Sequence, residues 1–202
     1  MNCNCIAGGF GANHRRLAME LFVAAPHRPS SLTPETHMPS MYAVSVGVFT
    51  KMLTNLAAIL DKAEAYAAER KFNPDVLVNQ RLAPDMHPLS FQIQNATDHA
   101  KGAAARLSGR EVPSWPDDEK TFADLKVRVK KALDFLATVK PADIDGSEDK
   151  EVILKVRGVE TPVKGETYLL ERAQVNFWFH YTTAYDILRH NGVPVGKRDF
   201  TG

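Results

Sequence analysis

Cysteine is nearly absent from this chain: the 202 residues contain two, Cys3 and Cys5, both at the extreme N-terminus. Two thiols without partners elsewhere make no disulfide framework, and a thiol-free body suits a reducing compartment, so a cytoplasmic location is expected. An excess of one charge is missing too. The 25 Lys and Arg against 24 Asp and Glu give a formal net charge of +1, which provides no global field to hold nucleic acid or an anionic membrane surface. No uninterrupted apolar stretch approaches the roughly 18 to 20 residues that cross a bilayer, so a soluble protein is expected. Residues 38 to 202 contain no nucleophile elbow, no Cys nucleophile and no phosphate loop. The GGFG element at Gly8 to Gly11 has neither a strand before it nor a phosphate-binding lysine after it. What remains is an ordinary globular composition, 44% hydrophobic and 24% charged, long enough for one well-buried core.

Residues 1–37 differ in kind from the rest. A short apolar patch, Leu17 to Ala25, is interrupted by Glu20 and followed by a Pro, Ser and Thr-rich stretch. They read as a disordered or mis-assigned N-terminal extension, with Met38 and Met41 immediately before the first strong helix. Residues 38–202 form the folded domain.

Four long amphipathic runs follow. Met41, Val44, Val48, Met52, Leu56, Ile59 and Ala63 recur every three or four positions and predict helix one, ending near Arg70. Asn73-Pro74 supplies a cap and a first-turn proline for a short turn over 75–79. Helix two spans about 88–108 with Ile93, Ala96, Ala100, Ala103 and Leu107 on one stripe and Gly109 as its stop. The loop 110–120 carries Trp115, expected to plug the end of the core. Thr121 and Asp124 form a capping box for helix three, whose KVRVKK segment reads as its solvated face. EVILKVR and VETPV, on either side of Gly158, predict a small β-hairpin. DIDGSED, at 143–149, lacks the spacing of a calcium loop and reads as a solvated turn. Helix four begins near Gly165 or Glu166 and ends at His190, with aromatic residues spread around its cylinder, as expected where several neighbours or a second subunit bury it. The fold class expected is all-α, a four-helix bundle with a hairpin between helices three and four.

Chemistry concentrates in QVNFWFHYTTAYDILRH, Gln174 to His190, where Asn176 and His180 lie one turn apart on one helix face. His99 sits beside the apolar stripe of helix two, three residues after Ala96 and four before Ala103. Two imidazoles and an amide converging in a bundle core would make a labile site for Zn, Ni, Fe or Mn, whereas packed, hydrogen-bonded histidines are the plainer alternative. Asp98 is placed to act behind the histidine or to face solvent. His87 is expected at the surface, and His190 in the last turn complements the helix dipole. Phe200 in the tail VGKRDFTG is expected to pack back onto the helices.

From Met41 to Gly202 the chain resembles a domain-of-unknown-function family within the DinB-like superfamily of metalloenzymes. MYAVSVGVFTKMLTNLAAIL, RLAPDMHPLSFQIQNATDHAKGAAARLSG and NFWFHYTTAYDILRHNGVPVGKRDFTG carry the resemblance. It implies an up-down-down-up bundle, frequent homodimers, and three metal-binding histidines in typical members, one on helix two and two on helix four. His99 would match the first and His180 the later of the pair, and Asn176 stands where the earlier one would be. Some members transfer thiols by lowering a thiol's pKa on the metal. The function expected is metal-assisted thiol transfer or hydrolysis on a small-molecule ligand, with a non-enzymatic small-molecule or protein-binding bundle as the alternative. Nucleic acid and membrane are not expected partners.

Overall fold

The computed structural model describes residues 39–202 apart from Arg157 and the Val156 side chain; the reading of residues 1–37 lies outside them. Helix α1, Ala43–Arg70, opens with a π-helical turn, Ala43–Gly47. It stops at Lys71, whose left-handed backbone (φ 59°) returns its N–H to Ala67 and Ala68 carbonyls. Its length and composition alone would let it cross a membrane. Its apolar side is instead spent inside the protein, with Phe49, Leu53, Leu56, Ile59 and Leu60 wholly buried. The Asn73 side chain caps a single 3-10 turn, Pro74–Leu77, slightly earlier than the pattern predicts.

Helix α2, Leu89–Ser108, ends at Gly109 with φ 74°. Ala96, Ala100, Ala103 and Ala104 are buried along it, and these small residues let neighbouring backbones come close. Helix α3, Phe122–Leu136, starts at the Thr121–Asp124 capping box. It packs on α1 and α2 through Phe122, Leu125, Val129 and Leu136. Its KVRVKK segment is not wholly a solvated face. Arg128 is only 2% exposed, because its guanidinium meets Asp98 (2.7 Å), Glu119 (2.9 Å) and Asp117 (3.1 Å). Trp115 lies among cations there, with Lys101 Nζ 4.1 Å, Lys131 Nζ 4.7 Å and the Arg128 guanidinium carbon 5.3 Å from its ring centre.

The segment DIDGSED is also more than a solvated turn. It contributes to a short helix, α4 (Pro141–Ile144), buries Ile144 and Ser147, and bonds Asp145 Oδ1 to the Tyr42 N–H at 2.8 Å. Strands β1 (Glu151–Val156) and β2 (Val159–Lys164) then form an antiparallel hairpin, Glu151 opposite Lys164 and Val156 opposite Val159. The chain passes from it directly into helix α5 (165–190), helical over Gly165–Tyr168, π-helical over Leu169–Ala173 and α-helical over Gln174–His190.

Helix α5 runs antiparallel to α2. Of its aromatic residues Tyr168, Phe177 and Tyr181 are buried and Trp178 and Tyr185 partly so, as their spread predicts, whereas Phe179 is exposed. Phe177 meets Phe49 of α1 at 4.8 Å between ring centres, and Phe200 of the C-terminal helix α6 (Lys197–Thr201) packs on Tyr181 at 4.8 Å and Tyr185 at 5.4 Å. Among the described residues the fold is therefore mostly helical, four long helices and one hairpin, with a core shared by α1, α2, α3 and α5.

Candidate functional site

The polar side chains of interest lie along the seam between α2 and α5. On α2, Gln92, His99 and Arg106 are spaced by seven residues; on α5, Tyr168, Arg172, Asn176 and His180 are spaced by four. Both spacings return to the same helix face, so the antiparallel pairing sets one polar row against the other.

His99 and His180 meet across this seam. Their ring centres are 5.8 Å apart and the rings nearly parallel, at 10°. An ion bound to an imidazole nitrogen sits roughly 3.2 Å from the ring centre, so two rings sharing one have centres at most about 6.4 Å apart. The observed separation is within that limit; because each lone pair lies in its ring plane, rings this nearly parallel share an ion only where they are also coplanar.

His180 Nδ1 lies 2.8 Å from Gln92 Oε1. The Gln92 amide is itself oriented, because its Nε2 donates to the His87 carbonyl at 2.9 Å. Gln92 therefore offers only an acceptor to the ring. The proton sits on Nδ1, and the Nε2 lone pair is left for a ligand or a substrate proton. Exposed His87 stacks on Phe91 at 3.9 Å, and Phe91 and Phe179 both meet His180 edge-on. Burial, then the positive charges His99 and His87 can carry, push the His180 pKa down to about 4. Burial also lowers that of His99, with Arg106 acting in the same sense and Asp98 against it. Both rings are thus neutral near pH 7, the form that ligates metals. The His99 imidazole makes no hydrogen bond among the described residues.

Asn176 is less available. Its Nδ2 donates to the Arg172 carbonyl at 2.7 Å, which leaves Oδ1 as its single donor atom toward a metal. Asp98 does not act behind His99. It turns to Arg128 and Lys101, 2.7 Å from each, since those buried cations need a carboxylate.

Beyond His99 the seam opens into a cavity of about 290 Å³ lined by His99, Arg106, Tyr168, Arg172, Lys155 and Leu154, together with Ala173. Arg106 Nη1 donates to the Tyr168 hydroxyl at 3.1 Å.

Residues 41–201 match the family described as Domain of unknown function (DUF1993). A crystal structure of a DinB family member protein from Shewanella denitrificans is similar over 80% of this chain and 91% of its own, with 44% identity and a TM-score of 0.75. The chain belongs to the DUF1993 family, within the DinB-like superfamily. No curated protein matches it.

In this DUF1993 chain, sequence spacing singled out both histidines and Asn176 but missed Gln92, Arg106, Tyr168 and Arg172. The seven-residue repeat 92/99/106 and the four-residue ladder 168/172/176/180 were the available signals. They are detectable only once the two helices are known to be partners. Among the described residues, no group of three or more His, Cys, Asp or Glu side chains is placed to hold a metal.

Proposed function

We propose that this protein is a DinB-like four-helix bundle of α1, α2, α3 and α5 that binds a divalent ion weakly at His99, Asn176 and His180 and acts on a small molecule by thiol transfer or hydrolysis. The observation that supports this most is the Gln92–His180 hydrogen bond, which fixes the tautomer and leaves Nε2 unprotonated. A metal-ligating histidine ordinarily has its other ring nitrogen oriented in just this way. A divalent ion held there supplies Lewis acidity that lowers the pKa of a thiol or water. The chain's own residues do the rest. His99 and His180 stay neutral at pH 7 and offer nitrogen lone pairs, Asn176 offers Oδ1, and Phe91 and Phe179 shield His180. Two imidazoles and one amide oxygen suit Zn, Ni, Fe or Mn bound exchangeably, with solvent completing the coordination.

The same reading takes the protein as a cytoplasmic homodimer. Leu170, Val175 and Phe179 supply exposed apolar surface on α5 for such a contact.

One observation favours a second reading, a non-enzymatic bundle that binds a small molecule or a protein without metal. Asn176 spends its NH2 group on the Arg172 carbonyl, and the described residues hold no carboxylate or third histidine in its place. Elemental analysis of the full chain after incubation with Zn, Ni, Fe(II) or Mn separates the two. The metal reading expects bound ion in the wild type and its loss in both His99→Ala and His180→Ala. Equal content in all three proteins, or none in any, would leave the non-enzymatic reading.

A further inference from the structure

The cavity beyond His99 has an unusual lining. Arg106, Arg172 and Lys155 converge on it, and no acidic side chain lines it. All ten ion pairs among the described residues lie elsewhere, and none uses these three cations. With 25 basic and 24 acidic residues, the chain has carboxylates enough to neutralise them. Lys155 has Glu160 opposite it across the hairpin, outside ion-pair distance, whereas Arg106 and Arg172 have no carboxylate partner among the described residues. Cations gathered in this way repel one another, and an anion seated among them removes that cost.

Arg106 is also held in place. A Cβ at Gly102 would lie 2.6 Å from Arg106 Nη1, so the guanidinium rests where a side chain at 102 would be. Gly102 is buried mid-helix, where glycine costs about 1 kcal/mol relative to alanine. The guanidinium is then fastened to the Tyr168 hydroxyl. Because that oxygen accepts from Arg106, its own O–H is free to donate into the cavity.

We propose that this cavity binds the carboxylate or phosphate group of a small molecule, with Arg106 and Arg172 as paired guanidinium donors, Lys155 as a third charge and the Tyr168 hydroxyl as a neutral donor. The planar guanidinium fork matches both oxyanions. The site adjoins His99, so it names the anchoring group of the substrate proposed above and rests on that reading for its catalytic meaning. The binding itself requires no metal.

The test is a titration of the full chain with sodium phosphate and, separately, sodium malonate in low-chloride buffer. It is read by calorimetry, once on protein as purified and once with chelator present. Binding tighter than about 10 mM is expected for at least one anion in both conditions, and the tighter of the two identifies the ligand's anionic group. Arg106→Gln and Arg172→Gln should each weaken it about tenfold or more, through loss of a charge-assisted bond. Arg172 is exposed, so its variant folds. Gly102→Ala should weaken binding several-fold with Tm unchanged or raised, which a purely structural role for the glycine would not produce. Lys130→Gln, at an exposed site paired with Asp134, should change nothing. Wild-type binding weaker than about 10 mM for both anions, or an affinity unaltered by both arginine variants, would overturn the proposal. Because the chelated sample carries no metal, the anion site and the metal site can fail independently.

Discussion

Gln92 shows how much of a histidine's chemistry is set by a residue that would not itself touch a ligand. Its amide is fixed by the His87 carbonyl and in turn fixes the His180 proton on Nδ1. Gln92→Leu should keep the helix packed but release the ring, and loss of such an orienting partner costs about 10- to 100-fold in metal affinity. Zn and Ni titrations of Gln92→Leu beside His180→Ala check this, with weakened binding expected in the first and none in the second. Identical affinity in Gln92→Leu and wild type would remove the orienting role. Arg128 makes a different point at the same scale. It is a charge almost fully removed from water and satisfied by Asp98, Asp117, Glu119 and the Thr97 hydroxyl. Arg128→Ala would strand Glu119, itself little exposed, and leave a void, at a cost of about 3 kcal/mol or more. Urea denaturation reads that directly, and a loss under about 1 kcal/mol would mean that the network is solvated in solution.

At the scale of the element, the four long helices were legible because each carries the simplest signal a sequence can give, apolar residues at a helical period between recognisable stops. Thr121 and Asp124 announce the start of α3, and Gly109 the end of α2. The Thr121 side chain and the Asp124 carboxylate exchange bonds with each other's backbone N–H groups, so Thr121→Ala should destabilise the protein by about 1 kcal/mol. An unchanged urea midpoint would show the capping bonds to be replaced by water. The π-helical turns Ala43–Gly47 and Leu169–Ala173 were not legible, because an inserted residue shifts the phase of a helix without altering its composition. Nor was the burial of Arg128. Along α3 alone it reads as one more cation of the solvated KVRVKK face, and only Asp98 of α2 with Glu119 of the preceding loop makes an interior place for it.

For the whole molecule, the decisive step was the pairing of α2 with α5, which brings His99 to His180 and Arg106 to Tyr168 although roughly 80 and 60 residues separate them along the chain. Spacing within one helix chose the histidines, but it could not choose the cationic cavity, whose members come from α2, β1 and α5. The cost of closing this seam over imidazoles appears as a pH dependence of the fold. His180 titrates near 4 in the folded protein against an ordinary 6.5, chiefly through burial. Between those values the unfolded chain binds more protons than the folded one, so acidification favours unfolding. The stability tied to the neutral ring is fully present above pH 6.5 and is lost as pH falls through about 4. His99, lowered from the same 6.5, adds in the same direction. The carboxylates of Asp124, Asp143, Asp149 and Asp199 are held below 3.8 by hydrogen bonds, so their contribution disappears only at still lower pH. Asp186, raised by burial, works the other way. Urea midpoints measured from about pH 7.5 down to about pH 2.5 should therefore decline below pH 6.5, and His180→Gln should flatten that decline while leaving the carboxylate-driven fall at lower pH. An equal slope in both proteins would mean that the ring meets water when folded as freely as when unfolded, and the seam would then be too open to keep His180 neutral at acidic pH.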